Sequence, residues 1–383
     1  MANVVKGFKD FTGDEARKRA KIKKIIVETF EQFGFEPAET PIIEVEEFVR
    51  GENKNDEVVS DIYTLVDKAK RKLALKYENT FQLKRIARDQ KLPYKRYQVE
   101  RVFRNEPIRA GRQREFTQCD ADTVGSCSND EAEMIFMLTT ILDKLQLKSK
   151  VLINNRKLVN EILETENIKE MKREQVMREL DKLDKLPKKE VADNLKKLGA
   201  EKLLKILEGG PEKLEKYSYY GEIKKIIRLL KDYKVKVEFS PTLARGLSYY
   251  NGTILEVVGE GDIGSIAAGG SYMINDVQSF GFSFGLDRIA MLAKTKPDYT
   301  DYLLISLGQD KKTIQLAQCL RENGSSTQIL LDKSLKKALE YANVKKIQKV
   351  IIIGENEVKG KKYKVKDMVS GKEKEMSEKD LIN

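Results

Sequence analysis

The sequence predicts an α+β chain: antiparallel strands flanked by amphipathic helices, a helical insertion, and an α/β domain at the C-terminal end. Three observations carry this. Residues 97–125, YQVERVFRNEPIRAGRQREFTQCDADTVG, hold two runs of period-two alternation around a loop containing Pro107 and Gly111. Residues 157–236 are dominated by Lys, Glu and Leu and show no strand pattern. Residues 302–367 alternate short apolar runs with helical spacing, which is the pattern of an α/β sheet.

In chain order, Ala16, Ala20, Ile22, Ile25, Ile26, Phe30 and Phe33 recur at helical spacing, so residues 13–34 form an amphipathic helix that Gly34 ends. Pro41 cannot donate to a central ladder and confines the next stretch to an edge or interface strand. Residues 73–80, LALKYENT, read as a strand end closed by a threonine. Tyr97, Val99, Arg101 and Phe103 alternate as a half-buried strand, and residues 107–111 break it. Arg114, Phe116, Gln118, Asp120 and Asp122 then lie two apart on one face of a returning strand. Residues 130–147 are helical and 150–153 a short strand. After the helical segment, strand-like sequence returns at 235–238. An Arg-Gly turn precedes a tyrosine-rich strand at 243–257, LARGLSYYNGTILEV. A glycine pair marks 265–273, SIAAGGSYM, and a glycine-bearing strand runs into a helix at 280–292, FGFSFGLDRIAML. A polar linker containing Pro297, residues 294–299, leads to strands at 302–307, 327–331, 349–353 and 362–367, with helices at 313–322 and 335–342.

The 383 residues suit two or three domains. There are 72 basic and 61 acidic side chains, a net charge of +11 that favours an anionic partner, with nucleic acid foremost. No histidine is present, which removes histidine-based catalysis and His-ligated zinc. Cys119, Cys127 and Cys319 have neither metal-ligand nor disulfide spacing, as expected in a reducing cytoplasm. No apolar run approaches the roughly 18 residues of a membrane helix, and no signal peptide opens the chain. Chemistry must then rest on Arg, Lys, carboxylates, amides and tyrosines, which suffices for phosphoryl or nucleotidyl transfer. The hairpin gathers Arg104, Glu106, Arg112, Arg114, Gln118 and Asp122 around one loop. Guanidiniums facing one cleft suit a polyphosphate, and Phe116 is placed to stack on a base. Spacing alone favours the plainer reading, a surface hairpin laced with Arg–Glu pairs, each worth about 0–1 kcal/mol.

The residues FRNE followed by GRQREFTQCD resemble motif 2 of class II aminoacyl-tRNA synthetases, in the form it takes in the histidyl-tRNA synthetase family. Residues 34–44 look like motif 1, which implies a homodimer. LALKYENT is similar to the strand end whose acidic residue and threonine, here Glu78 and Thr80, meet the amino group of the amino acid; Lys76 stands where the family usually has Arg. LARGLSYYNGTILEV resembles the first histidyl-specific motif, with Ser248 in place of Asp. SIAAGGSYM resembles the second, with Ser271 and Met273 where Arg and Asp are expected, and with Gly269 and Gly270 letting backbone approach the ligand. FGFSFGLDRIAML matches motif 3, and the C-terminal pattern resembles the family's anticodon-binding domain.

The resemblance implies ATP-dependent activation of histidine and its transfer to tRNA(His) by a cytoplasmic ligase, with magnesium assisting. Arg104 and Arg245 would act at the α-phosphate. Arg112 and Arg288 would hold the outer phosphates, Glu106 would read the adenine amino group, and Phe116 would stack on adenine. Histidine would meet Glu78, Thr80, Gln118, Asp122, Arg245, Tyr249, Tyr250 and Tyr272. No metal-ligating residues are assigned. The implied domains are a catalytic domain in two parts, 1–155 and 237–296, an insertion at 156–236 that contacts tRNA, and an anticodon-binding domain at 298–383. The alternative is a non-catalytic paralogue acting as a regulatory subunit or tRNA sensor.

Overall fold

The alternating stretches become two ten-residue strands, Tyr94–Phe103 and Glu115–Val124, paired antiparallel along their whole length. Each presents one apolar and one polar face, and a slip of one residue would exchange them, so the pattern fixes the register. The structure, a computed structural model, describes residues 3–51, 57–108, 111–184, 186–244, 249–260 and 264–382. The chain divides into two units, residues 1–295 and 296–383.

In the first unit the strands are β1 (Glu36–Pro37), β2 (Ile43–Val45), β3 (Thr64–Val66), β4 (Lys72–Leu75), β5 (Tyr94–Phe103), β6 (Glu115–Val124), β7 (Ser149–Asn155), β8 (Glu238–Phe239), β9 (Thr253–Gly259), β10 (Ser265–Ile274) and β11 (Val277–Gly285). Eight form one sheet in the order β1-β5-β6-β11-β10-β9-β7-β8. Its pairings are antiparallel except at the two ends, where the two-residue strands β1 and β8 run parallel to their neighbours. Strands β2, β4 and β3 make a separate small antiparallel sheet. The architecture is α+β, as the sequence predicts.

One face of the large sheet is its core. Tyr97, Cys119, Ala121, Phe282 and Phe284 pack there against the helices Gly13–Gln32 and Ser128–Lys144. The Phe30 ring lies 5.5 Å from Tyr97 and 6.2 Å from Phe282. Alternation sends Arg96, Gln98, Asp120, Asp122, Gly281 and Ser283 to the opposite face.

The Lys/Glu/Leu-rich segment folds as helices, among them Arg156–Thr165, Glu170–Leu180, Lys188–Lys197 and Ser218–Asp232, whose apolar stripes join the same core. The strand expected at 235–238 is shorter and later than its sequence suggests. Val235 and Val237 pack against the core, and only Glu238 and Phe239 pair with β7.

The second unit has β12 (Tyr302–Ser306), β13 (Thr327–Leu330), β14 (Lys349–Ile353), β15 (Lys362–Asp367) and β16 (Glu373–Ser377), in the order β13-β12-β14-β15-β16. The first three are parallel, and β15 and β16 add antiparallel. Leu304 and Ile351 belong to one buried cluster and Leu303, Ile305 and Val350 to another, so both faces of the sheet are covered. No helix among the described residues is long and apolar enough to cross a membrane.

Candidate active site

Strand β6 is a ruler for the site. Phe116, Gln118, Asp120 and Asp122 follow one another on its polar face, and six residues of strand span roughly 20 Å. Opposite them on β11 stand small residues: Gly285 faces Gln118, Ser283 faces Asp120 and Gly281 faces Asp122. A Cβ on Gly281 would come within 2.0 Å of Asp122 Oδ1, so a side chain there would displace that carboxylate. The small row leaves room above the sheet for a pocket of about 270 Å³.

The pocket is lined by Glu78, Thr80, Arg104, Glu106, Arg112, Phe116, Gln118, Asp122, Tyr249, Tyr250, Tyr272 and Arg288. These are all the residues to which the resemblance gave a place at ATP or histidine except Arg245, which, with Ser248, lies outside the described residues. The pocket also holds Asp120, to which the sequence reading gave no role.

At the Phe116 end the charges are positive. The Glu106 carboxylate sits between Arg112, at 2.9 Å, and Arg104, at 3.8 Å. The Arg104 guanidinium lies 5.3 Å from the centre of the Phe116 ring, and its Nε donates to the Tyr77 carbonyl at 3.0 Å. That last bond ties the hairpin to the strand-end loop carrying Glu78 and Thr80. Arg96 does the same further along, donating to the Asn79 carbonyl at 2.7 Å. Arg288, at the start of the helix Leu286–Leu292, donates to the Ser265 carbonyl.

Arg114 departs from expectation. It is not among the pocket residues; its Nε donates to the Glu106 carbonyl at 3.3 Å, and its side chain packs on Gly7. The Gly7 carbonyl in turn accepts from the amides of Arg114 and Glu115 at 2.9 and 3.3 Å. Gly7 has φ +91°, and a Cβ there would meet the Arg114 side chain at 2.8 Å, so glycine is required. Phe8 follows, with its ring 6.2 Å from Tyr63 and 6.4 Å from Phe103. The N-terminal arm thus clamps the base of the arginine-bearing loop.

Asp287 forms a second brace. One carboxylate oxygen accepts from Arg19 on the first helix at 2.9 Å, and the other from the Thr117 amide at 3.3 Å. The Arg19–Asp287 pair is only about a tenth exposed, and the guanidinium also lies 3.8 Å from the Phe11 ring centre. This carboxylate joins β6, beside Phe116, to the helix Leu286–Leu292 that carries Arg288.

At the Asp122 end the pocket is acidic and aromatic. Asp122 pairs with the fully buried Arg96 at 2.9 Å and accepts from the Tyr272 hydroxyl. Burial raises its pKa despite the opposing charge of Arg96. Tyr249, Tyr250 and Tyr272 form an edge-to-face cluster with ring centres 5.0 to 6.3 Å apart, and burial pushes all three hydroxyls up, so they are neutral donors.

Gly269 and Gly270 are required by strand packing. A Cβ on Gly269 would strike the Gly281 carbonyl and Phe282, and one on Gly270 the Thr253 carbonyl and the Tyr250 ring. Their space is taken by the neighbouring strands and by Tyr250. The other departures from the family pattern are accommodated differently. Lys76 is fully buried and paired with Glu100. Ser271 and Thr253 each donate to the buried Glu131 carboxylate at 2.7 Å. Met273 is exposed.

An antiparallel sheet floored this way, with arginines at one end, carboxylates and tyrosines at the other, and an α/β unit after it, is the architecture of class II aminoacyl-tRNA synthetases. The family model for histidyl-tRNA synthetase matches residues 7–289, and that for the anticodon binding domain matches residues 301–383. Histidine--tRNA ligase 2 of Shouchella clausii is 33% identical, with 96% of each chain covered. Histidine--tRNA ligase 1 of Bacillus cereus is 34% identical over 97% of this chain and 94% of its own. The crystal structure of histidyl-tRNA synthetase from Nostoc sp. PCC 7120 superposes with a TM-score of 0.86 at 26% identity, covering 99% of this chain and 97% of that one. The chain belongs to the histidyl-tRNA synthetase family, and so to the aminoacyl-tRNA ligases.

Proposed function

We propose that this chain activates histidine with ATP and transfers it to tRNA(His). The observation that carries the reading is the polarity of the pocket along β6: arginines around Phe116, and carboxylates and tyrosines around Asp122. ATP placed with its adenine on Phe116 has its phosphates among Arg104, Arg112 and Arg288. Histidine placed at the other end meets Gln118, Asp122, the three tyrosines, and Glu78 and Thr80 on the strand-end loop.

In the first step a histidine carboxylate oxygen attacks the α-phosphorus in line. The new P–O bond forms as the bond to pyrophosphate breaks. Arg104 and, by resemblance, Arg245 balance the charge on the α-phosphoryl oxygens, while Arg112 and Arg288 hold the departing phosphates. Glu106 accepts from the adenine amino group. In the second step a hydroxyl of the terminal adenosine of tRNA attacks the activated carbonyl and AMP leaves. The second unit, which the anticodon-binding model matches, and the lysine-bearing insertion give the tRNA further points of contact.

Magnesium, which the family implies, fits as an ion carried by the phosphates. Such ions are held through one or two carboxylates plus substrate oxygens. The described residues form no group of three potential ligands, but Glu256 is buried next to Ser265, which lines the pocket. Bound there, the ion would neutralise the outer phosphates. The stretch that resembles motif 1, where exposed Ile42, Ile43 and Val45 lie on and beside β2, supports a homodimer.

The test is histidine-dependent exchange of pyrophosphate into ATP, followed by charging of tRNA(His). Exchange that needs histidine supports the enzyme. Binding of tRNA without exchange would support the non-catalytic paralogue instead.

A further inference from the structure

The polar face of β6 carries a charge imbalance. Cross-strand partners on β5 are Arg96 for Asp122, Gln98 for Asp120 and Glu100 for Gln118. Two of the three carboxylates in this patch have a buried cation: Asp122 has Arg96 and Glu100 has Lys76. Asp120 stands between Gln98 on β5 and Ser283 on β11 and forms no ion pair among the described residues. Gln98 cannot help, because its amide nitrogen already donates to Thr40 at 2.7 Å and Glu100 at 2.5 Å. Asp120 is only 2% exposed, yet it lines the pocket. Its Oδ1 has no hydrogen-bond partner. Neither has Oε1 of Gln118, two residues earlier on the same face, whose amide nitrogen is spent on Ser283 at 3.0 Å.

Two buried acceptors without donors, adjacent along one strand face and opening into one pocket, call for a ligand rich in N–H groups and positively charged. A buried carboxylate with no ion pair of its own is costly in such a place unless a cation arrives. An ammonium group offers three donors and one positive charge.

We propose that Asp120, with Gln118 Oε1, is the counter-ion for the α-ammonium of the amino-acid substrate and so selects for an amino acid over its deaminated analogue. This rests on the function proposed above and adds a residue to it. Asp122 and the tyrosines then serve the side chain, and Asp120 joins Glu78 and Thr80, which line the same pocket, at the backbone amine. The carboxyl pKa of Asp120 agrees: burial pushes it up to about 6, with Arg96, Ser283 and Asn79 opposing and Asp122 adding to the rise. An arriving ammonium would restore the ionised form.

The experiment compares the full chain with Asp120→Asn, using calorimetric binding of histidine, histamine and imidazolepropionate at pH 7.5, and histidine-dependent pyrophosphate exchange. Histamine keeps the ammonium without the carboxylate; imidazolepropionate keeps the carboxylate without the ammonium. Asp120→Asn should weaken histidine and histamine by roughly ten- to a hundredfold. It should leave imidazolepropionate unchanged or bound more tightly, since one carboxylate no longer repels another. Circular dichroism confirms folding. Equal losses for all three ligands would place Asp120 at the imidazole or in the scaffold, and no loss for histidine would remove it from the site; either overturns the proposal. Absence of histidine-dependent exchange in the unaltered chain would instead overturn the enzymatic reading beneath it.

Discussion

Asp120 also has a consequence for stability that requires no ligand. Its carboxyl has an ordinary value of 3.8 and is pushed up to about 6 in the folded chain, first by burial and then by the neighbouring Asp122, while Arg96, Ser283 and Asn79 oppose. Below about pH 4 the group is protonated both folded and unfolded, and costs nothing. As pH rises from 4 to 6 the unfolded chain ionises first, and the folded state loses stability relative to it. Above 6 the full difference applies: about two pK units, or about 3 kcal/mol. Asp120→Asn removes this term at constant volume. The variant should match the unaltered chain near pH 4 and exceed it by up to about 3 kcal/mol above pH 6. Asp122→Asn, two residues along the same strand, should act in the opposite sense. It leaves the fully buried Arg96 without its carboxylate, and breaking a buried pair costs about 3–5 kcal/mol. Urea unfolding followed by circular dichroism at pH 4.5, 6 and 8 measures both. A destabilised Asp120→Asn at pH 8, or a gain that does not change with pH, would refute the argument.

Three further outcomes are expected. Arg245→Ala should slow adenylate formation roughly 10²–10³-fold with little change in ATP affinity, because a preorganised charge at the reacting phosphate acts on the transition state; a variant altered only in the Michaelis constant for ATP would exclude that role. Removing residues 298–383 should spare pyrophosphate exchange and sharply reduce aminoacylation, since residues 296–383 form a compact unit of their own; undiminished charging of tRNA would contradict an anticodon-binding role. Arg19→Ala should raise the Michaelis constant for ATP more than it lowers kcat, because Asp287 then loses the cation that helps it hold β6 against the Arg288 helix, and Arg19→Lys should recover part of the loss; identical kinetics in all three chains would show the brace to be idle.

What the sequence displayed of this molecule depended on period and on one-sided burial. The helix Gly13–Gln32 and the strands β5 and β6 bury one face each, so their apolar residues recur at 3.6 or 2 and are visible. The pocket residues of β6 were visible for the same reason, being the polar half of that alternation. The sheet β2-β4-β3 was less legible, since its strands are three or four residues long and Ile43, Val45 and Val66 stay exposed. Strand β16 is polar and largely exposed and leaves no apolar trace. Within the site, the hidden parts were cations where cations are rare. Nothing local marks Arg96 and Lys76 as fully buried, because their carboxylate partners are supplied by other strands. Asp287 lies in the first turn of its helix, where an acidic residue is ordinary, and its bridging of Arg19 to Thr117 spans 268 and 170 positions of chain, beyond the reach of any motif. Gly269 and Gly270 were legible as glycines but not as to what fills their space, which is a matter of strand packing.

The clamp at Gly7 bears on how this chain is handled in the laboratory. Its carbonyl holds two amides at the foot of the loop that carries Arg112, and its backbone angle admits only glycine without strain. An affinity tag or fusion partner joined just ahead of residue 7 would pull on that foot. The damage would show up as poor ATP use in an otherwise well-folded preparation. A tag at the other end leaves Gly7 and the two amides it holds as they are, so ATP kinetics measured on C-terminally tagged material are the safer reference.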